Sequence, residues 1–340
     1  MIITRTPVRV SFFGGGTDYP AYFRRHGGAT LTTTIDKYVY VTVQHLTEYF
    51  DHNLQVHYSK IESVHALDDL EIPNVREALR LLGIESGIEV HLVGDLPARS
   101  GLGTSSATTV GLLAALHGHH GRLIAQSELA RQAVRVEQDI LGERVGSQDQ
   151  HICALGGLQH LEFMRDGDVR ATPIPLVPDR MAELDEHLLM FYTGQQRTAH
   201  DVLTEQVERT GEGELDDRLA AMREQASRGV ELLCGSAPLS EFGELLHEAW
   251  TLKRSLSSKI SLPGIDDLYT RGRAAGALGG KLLGAGGGGF MLLFVEPDRQ
   301  REVKDALRDV REVPFRFEHA GSSVVFYQPS PSGSERSTNL

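Results

Sequence analysis

The sequence predicts an α+β protein built as two domains, and three observations carry that reading. The chain has 340 residues, more than one ordinary core needs. Its first half mixes β-branched strand runs with short helical stretches, whereas most of Thr198 to Ala275 reads as helical. A glycine-rich loop at 284–289 then opens into a continuous apolar run, Phe290 to Val295, which reads as a buried strand.

Taken in order, Val8 to Phe13 is a strand that Gly14-Gly15-Gly16-Thr17-Asp18 interrupts. Thr30 to Leu46 is β-branched and alternating, enough for one or two strands. Pro73 to Leu82 has a helical period with Pro at its start, and Ile88 to Val93 alternates as a strand. A small-residue helix runs from Thr104 to His117, and an amphipathic one from Gln126 to Leu141. Strands follow at Leu158 to Phe163, Val169 to Ile174 and Leu188 to Tyr192, with a proline-bearing joint at 173–178. A helix from Arg299 to Val310 and two short strands complete the folded part. The expected division is 1–177, 178–328 and a Ser/Pro-rich disordered tail, 329–340.

With 40% hydrophobic and 24% charged residues, the composition is that of a globular chain. A net charge of -12 argues against nucleic acid as a partner. No apolar run reaches membrane-spanning length and no signal-peptide pattern opens the chain, so no membrane partner and a cytoplasmic location are expected. Cys153 and Cys234 fit no metal or CxxC spacing and are expected as buried free thiols. His117, His119 and His120 lack a ligand-spaced carboxylate and read as a helix terminus.

The stretch Pro97-Ala-Arg-Ser-Gly101-Leu102-Gly103-Thr104-Ser105-Ser106-Ala107 lies between a strand and a helix. Its glycines allow close backbone approach, and the amides at the helix start suit a polyanion; an ordinary capped loop is the plainer alternative. It is not a Walker loop: at Gly280-Lys281 a leucine follows and the upstream glycine is missing. Gly284, Gly286 and Gly289 give a GxGxxG, but it opens a strand rather than a helix, which excludes the dinucleotide reading and leaves close backbone packing or ligand approach. Glu137, near the end of a helix, and Asp149, in the loop beyond, could divide magnesium binding and proton handling; a solvated helix face is the alternative for Glu137. Arg9 stands in an apolar strand and needs an anionic partner, with Asp18 or Asp149 available.

Together and in this order, these elements resemble the GHMP kinases, and the resemblance covers nearly the whole chain. Pro97 to Ala107 is similar to the family's P-x-x-x-G-L-G-S-S-A loop, with Thr104 in place of the first serine, and 284–289 resembles its C-terminal glycine motif. Arg9 to Tyr19 is similar to the R-V-N-L-I-G-E-H-T-D-Y opening of galactokinases. The resemblance implies a ribosomal protein S5 domain 2-like N-terminal domain and a ferredoxin-like C-terminal domain, with the site between them. It implies ATP with Mg²⁺, bound along Pro97, Gly101, Leu102, Gly103, Thr104, Ser105 and Ser106, the metal on Ser105 and Glu137. Asp149 would be the catalytic aspartate and Arg9 the arginine beside the attacking hydroxyl. Gly14, Gly15, Gly16, Thr17, Asp18, Arg197, Gly286 and Gly287 would meet a sugar or sugar-phosphate substrate. Neutral fucose-, mannose- or galactose-type acceptors, a non-catalytic ligand sensor and a homodimer are left open.

Gly15 and Gly16 stand where galactokinases carry Glu and His. Removing a carboxylate there relieves about 4 kcal/mol of repulsion toward a phosphorylated sugar at ~4 Å and an effective dielectric of ~20. A second phosphate would need cations, for which Arg197, Lys253, Arg254 and Lys259 are the candidates.

Overall fold

A computed structural model describes residues 1–97, 101–194 and 199–329, without the side chains of 199–204. The strands are β1 (Ile2–Phe13), β2 (Gly28–His45), β3 (Leu54–His57), β4 (Ile61–Val64), β5 (Ile88–Gly94), β6 (Gln159–Phe163), β7 (Val169–Pro173), β8 (Leu188–Tyr192), β9 (Ala277–Leu282), β10 (Phe290–Val295), β11 (Arg311–Glu312), β12 (Phe317–Glu318) and β13 (Ser323–Tyr327). The helices are α1 (Pro20–His26), α2 (Pro73–Leu81), α3 (Thr104–His119), α4 (Gln126–Val134), α5 (Gln148–Leu155), α6 (Pro178–Glu186), α7 (Ala199–Gly211), α8 (Asp216–Cys234), α9 (Ser240–Arg254), α10 (Pro263–Ala274) and α11 (Gln300–Ala306).

Among the described residues, nine strands form one sheet and four form another. The expected run Thr30 to Leu46 is the single long strand β2, because its two ends serve different partners. Its C-terminal half pairs with β5, and its N-terminal half with β6 and β12. β1 lies antiparallel along its other edge, with a register shift at Pro7/Val8, where proline has no N–H to give the ladder. Helix α3 packs on β1 and β2; its small residues allow this, since a Cβ on Gly111 would lie 2.7 Å from Thr6 Oγ1. The second sheet runs β11-β8-β10-β9 and is covered by α9 and α10. Every residue of β10 is buried, as its unbroken apolar run requires.

Several expectations change in detail. The helix expected from Gln126 to Leu141 is α4 followed by a π-helical turn, Arg135–Ile140, in which the Leu141 amide reaches back to the Val136 carbonyl. Asp149, expected in a loop, is in the first turn of α5. The hairpin β3–β4 is too short and polar to announce itself, and three strands, not two, follow α11 among the described residues. Cys153 is buried as expected, but Cys234 is exposed, because it ends α8 on the solvent side. The histidines do close α3, with His117 bonded to Gln132. No helix among the described residues is long and apolar enough to cross a membrane. Residues 330–340 of the expected tail lie outside the described residues.

An expected division after residue 177 falls just before α6, yet β12 and β13 return to pair with β2 and β1. The two sheets also share one hydrophobic core. Phe242 of α9 stands edge-on to Phe12 at 5.4 Å and to Phe13 at 5.0 Å between ring centres, and meets Phe294 of β10 at 6.2 Å. This aromatic joint fixes how β1 sits against the second sheet. Phe242→Ala is expected to cost about 3–5 kcal/mol of unfolding free energy in urea titration.

Candidate active site

A cleft opens between the start of β1's following loop, the N-termini of α3 and α5, and the glycine loop before β10. Arg9 organises it. Its Nε donates to Asp149 Oδ1 at 2.8 Å and its Nη2 to Oδ2 at 2.6 Å, a two-pronged pair. Its Nη1 donates to the Gly101 carbonyl at 2.6 Å, and its backbone amide to Leu102 O at 3.0 Å. The guanidinium is only 5% exposed, so this set of partners is what permits a charge inside the fold. Burial alone would lower its pKa, but the charge and hydrogen bonds of Asp149 leave it raised.

Asp149 is steadied from its other side. Gln148 Nε2 donates to Oδ1 at 3.1 Å, and Ser11 Oγ donates to Gln148 Oε1 at 2.9 Å. Asp18 is therefore not the partner of Arg9. It accepts from the amides of Gly16 at 2.9 Å and Gln148 at 3.3 Å, capping α5 from a distant loop. Burial, then the nearby charge of Asp149, raises its pKa. Residue 146 must be glycine, since a Cβ there would lie 1.8 Å from Asp18 Oδ2.

The two glycine motifs meet back to back. A Cβ on Gly101 would fall 2.5 Å from Leu283 O, and one on Gly284 would fall 2.4 Å from Gly101 Cα. Both residues hold positive φ, 81° and 77°. The loop at 284–289 thus supports the loop at 101–106 by backbone packing. No side chain caps α3, and the first-turn amides of Ser105 and Ser106 have no acceptor within the helix, an arrangement suited to an anion.

Beneath this helix start, Glu137 is fully buried, carried inward by the π-helical turn. Its Oε2 accepts from Ser106 Oγ at 2.8 Å and from Gln150 Nε2, while Oε1 has no hydrogen-bond partner among the described residues. Burial pushes its pKa up to about 7. An orphaned carboxylate oxygen beside a hydroxyl suits a hard divalent cation, so the donor set fits Mg²⁺. The serine that touches Glu137 is Ser106, rather than the expected Ser105, which is exposed on the cleft side of the same turn.

Of the expected nucleotide contacts, Gly101, Gly103, Thr104, Ser105 and Ser106 line the cleft. Leu102 is a core residue and Pro97 is exposed outside the lining, so these two shape the loop. Gly15, Gly16, Asp18 and Gly286 also line the cleft. Gly14 and Thr17 do not: Thr17 is buried and its hydroxyl bonds the carbonyls of Gly14 and Ala29, which closes the turn. Gly287 spends its amide on the Ile260 carbonyl at 2.9 Å and lies off the lining. Arg197 falls outside the described residues.

The remaining cations separate cleanly. Arg254 pairs with Asp266 at 2.9 Å and Lys259 with Glu205 at 3.4 Å, both outside the cleft lining. Lys253 lines the cleft, donating to the carbonyls of Leu282 and Gly284, and burial lowers its pKa to about 7. Beside it Lys281, which sequence reasoning passed over, donates to Phe12 O at 2.7 Å, and burial holds its pKa well below the usual lysine value. A lysine inside an apolar run was its signal, the same signal that marks Arg9.

The chain matches the models of the GHMP kinases N terminal domain over residues 72–157 and of the GHMP kinases C terminal over residues 233–312. It is 27% identical to a D-glycero-alpha-D-manno-heptose 7-phosphate kinase of Campylobacter jejuni, across 90% of this chain and 93% of that one. It is 31% identical to a mevalonate kinase of Methanothermobacter thermautotrophicus, across 64% of this chain and 68% of that one. A solved D-glycero-D-manno-heptose 1-phosphate kinase from Bacteriodes thetaiotaomicron shares the fold, with TM-score 0.80, 24% identity, and coverage of 96% of this chain and 100% of that one.

The buried Glu137 gives a pH test on metal-free protein. Its folded pKa is raised, so the fold favours the protonated carboxyl. That contribution is fully present below the ordinary value of 4.5 and is lost as pH rises through about 7. Glu137→Gln cannot titrate. Its melting temperature relative to the parent should therefore climb between pH 5 and pH 8 by several degrees, about 1–3 kcal/mol, in scanning calorimetry with chelator present.

Proposed function

Because this chain belongs to the GHMP kinase family, whose members transfer phosphate to alcohol groups, we propose that it phosphorylates the anomeric hydroxyl of D-glycero-D-manno-heptose 7-phosphate to give the 1,7-bisphosphate. The observation that carries the kinase chemistry is the Arg9–Asp149 pair set against the uncapped start of α3. A carboxylate, a cation and an anion site converge there on one cleft.

ATP would lie along Gly101 to Ser106, its phosphates at the amides of the helix start. Glu137 and a serine hydroxyl of the same turn, Ser106 or Ser105, would hold Mg²⁺, which when bound neutralises charge on the phosphate oxygens. Asp149, fixed by Arg9 and Gln148, orients the sugar hydroxyl. As the new O–P bond forms and the bond from the γ-phosphorus to the bridging oxygen of ADP breaks, the hydroxyl proton passes to the Asp149 carboxylate. Arg9 offsets the charge that builds during transfer. Position and charge, rather than covalent chemistry, supply the acceleration.

The acceptor assignment rests on a second observation. Lys253 and Lys281 bring two buried amines to the cleft, bonded only to backbone carbonyls. Amines held without an acidic partner are poised for an anion, and the 7-phosphate would supply it. Gly15 and Gly16 add no side chain to the cleft lining, and the Asp18 carboxylate of the same loop is held by the Gly16 and Gln148 amides. The 27% identity to a heptose 7-phosphate kinase points the same way.

The test is ADP release with Mg-ATP across heptose 7-phosphate and neutral fucose, mannose and galactose. Turnover on the heptose phosphate, cut by about 10²-fold or more in kcat by Asp149→Asn, is the expected result. Turnover on a neutral sugar alone would discard the phosphate pocket and keep the kinase. A fall of less than about threefold in the Asp149 variant would remove its role as proton acceptor. Lys253→Ala should raise KM for the phosphorylated sugar about 10- to 100-fold and leave any neutral-sugar KM unmoved.

A further inference from the structure

Outside the cleft, the open face of the first sheet carries a second group of chemically matched side chains. His57 of β3 and His91 of β5 are direct partners on parallel strands, and Glu89 precedes His91 by one pleat on the same face. Alternation makes the placement firm: Val56, Ile88 and Val90 point into the core, so His57, Glu89 and His91 point out. The two imidazole rings lie 4.1 Å apart between centres and only 11° from parallel. Their Nε2 atoms converge on one oxygen. His91 Nε2 is 2.7 Å from Glu89 Oε1, and His57 Nε2 is 3.5 Å from it, with no hydrogen-bond partner of its own among the described residues. All three donor atoms fall within 4.8 Å of one another.

We propose that His57, Glu89 and His91 form a zinc-type divalent metal site that clips β3 to β5. The donor set, two imidazole nitrogens and one carboxylate oxygen, is one that zinc takes with a water in the fourth position. Tetrahedral zinc, with bonds of about 2.0–2.2 Å, separates its ligand atoms by about 3.3 Å. The 3.5 Å separation already matches, and the 2.7 Å contact opens by about half an ångström when a metal ion replaces the shared proton. The carboxylate is also oriented from behind: Gln44 of β2, its partner across the β2–β5 ladder, donates from Nε2 to Glu89 Oε2 at 2.7 Å. That leaves Oε1 for the ion, the kind of supporting contact that metal sites use. Mg²⁺ prefers an all-oxygen shell, so the kinase metal does not compete here.

A clip at this place has a structural use. Among the described residues, the β3–β4 hairpin pairs with the rest of the first sheet only along the parallel edge of β3 with β5. Four residue pairs make that edge, and the metal would bind one of them across.

The experiment titrates Co²⁺ into chelator-stripped protein held in excess Mg²⁺, which blocks oxygen-only sites. One equivalent should develop the visible ligand-field bands of four-coordinate cobalt, and Zn²⁺ should displace it. His57→Gln and His91→Gln, with folding checked by circular dichroism, should each weaken Co²⁺ at least about 100-fold, and Gln44→Ala about 10-fold. Zn²⁺ should raise the melting temperature of the parent but not of the histidine variants. Absence of a stoichiometric cobalt signal, or a signal unchanged in both histidine variants, would overturn the site.

Discussion

A guanidinium inside the fold sets the terms for everything around it. Arg9 is 5% exposed, and a charge so placed is tolerable only when it is paired and hydrogen-bonded. Its partners come from two separate stretches of chain: the Gly101 carbonyl, beside the Leu102 carbonyl that takes the Arg9 backbone amide, and the carboxylate of Asp149. Satisfying one strand residue therefore draws the phosphate-type loop and the head of α5 to a common point. The glycines at 101, 284 and 146 are the steric conditions for that convergence, because a Cβ at any of them would collide with a neighbour. Stability and chemistry rest on the same contacts, so the site cannot drift without exposing a buried charge.

Around that pair, the electrostatics divide by depth. Glu137, below α3, feels mainly desolvation and holds its proton to about pH 7 in the absence of metal. Lys253 and Lys281, in the cleft lining, feel the same desolvation with the opposite sign. Asp18 is given to the backbone of its own loop and of α5. Glu137 lies behind the cleft lining, whereas Lys253, Lys281 and the Asp149 carboxylate line it.

Much of this was legible in the residues. The fold class, the strand-to-helix glycine loop, and the lone arginine in an apolar strand all follow from local rules of backbone freedom and buried charge. The residues that misled did so for a shared reason: sequence gives spacing but not which way a side chain points. Ser105 and Ser106 are adjacent, and only the helix rotation decides which meets Glu137. Gly14 and Thr17 belong to the same motif as Gly15 and Gly16, yet they face inward to build the turn. A π-helical turn cannot be told from an α-helix by period over six residues, so the inward swing of Glu137 was out of reach. Lys281 was readable by the rule applied to Arg9. The β3–β4 hairpin, with four-residue strands, offers too short a pattern to separate from loop.

The return of β13 to the edge of β1 has a bearing on how the chain is made. Synthesis delivers β1 first, whereas its edge partner appears only when residue 327 has left the ribosome. Until then β1 has a neighbour on one side alone, and its other side is a row of unpaired amides and carbonyls open to wrong partners. The first sheet thus stays unfinished until β13 has been made. Completion of β1 waits on β13, and the shared aromatic joint, which needs α9 and β10, forms only after both of these have been made. Assembly of this enzyme is closer to a final closure than to the successive maturation of two independent units.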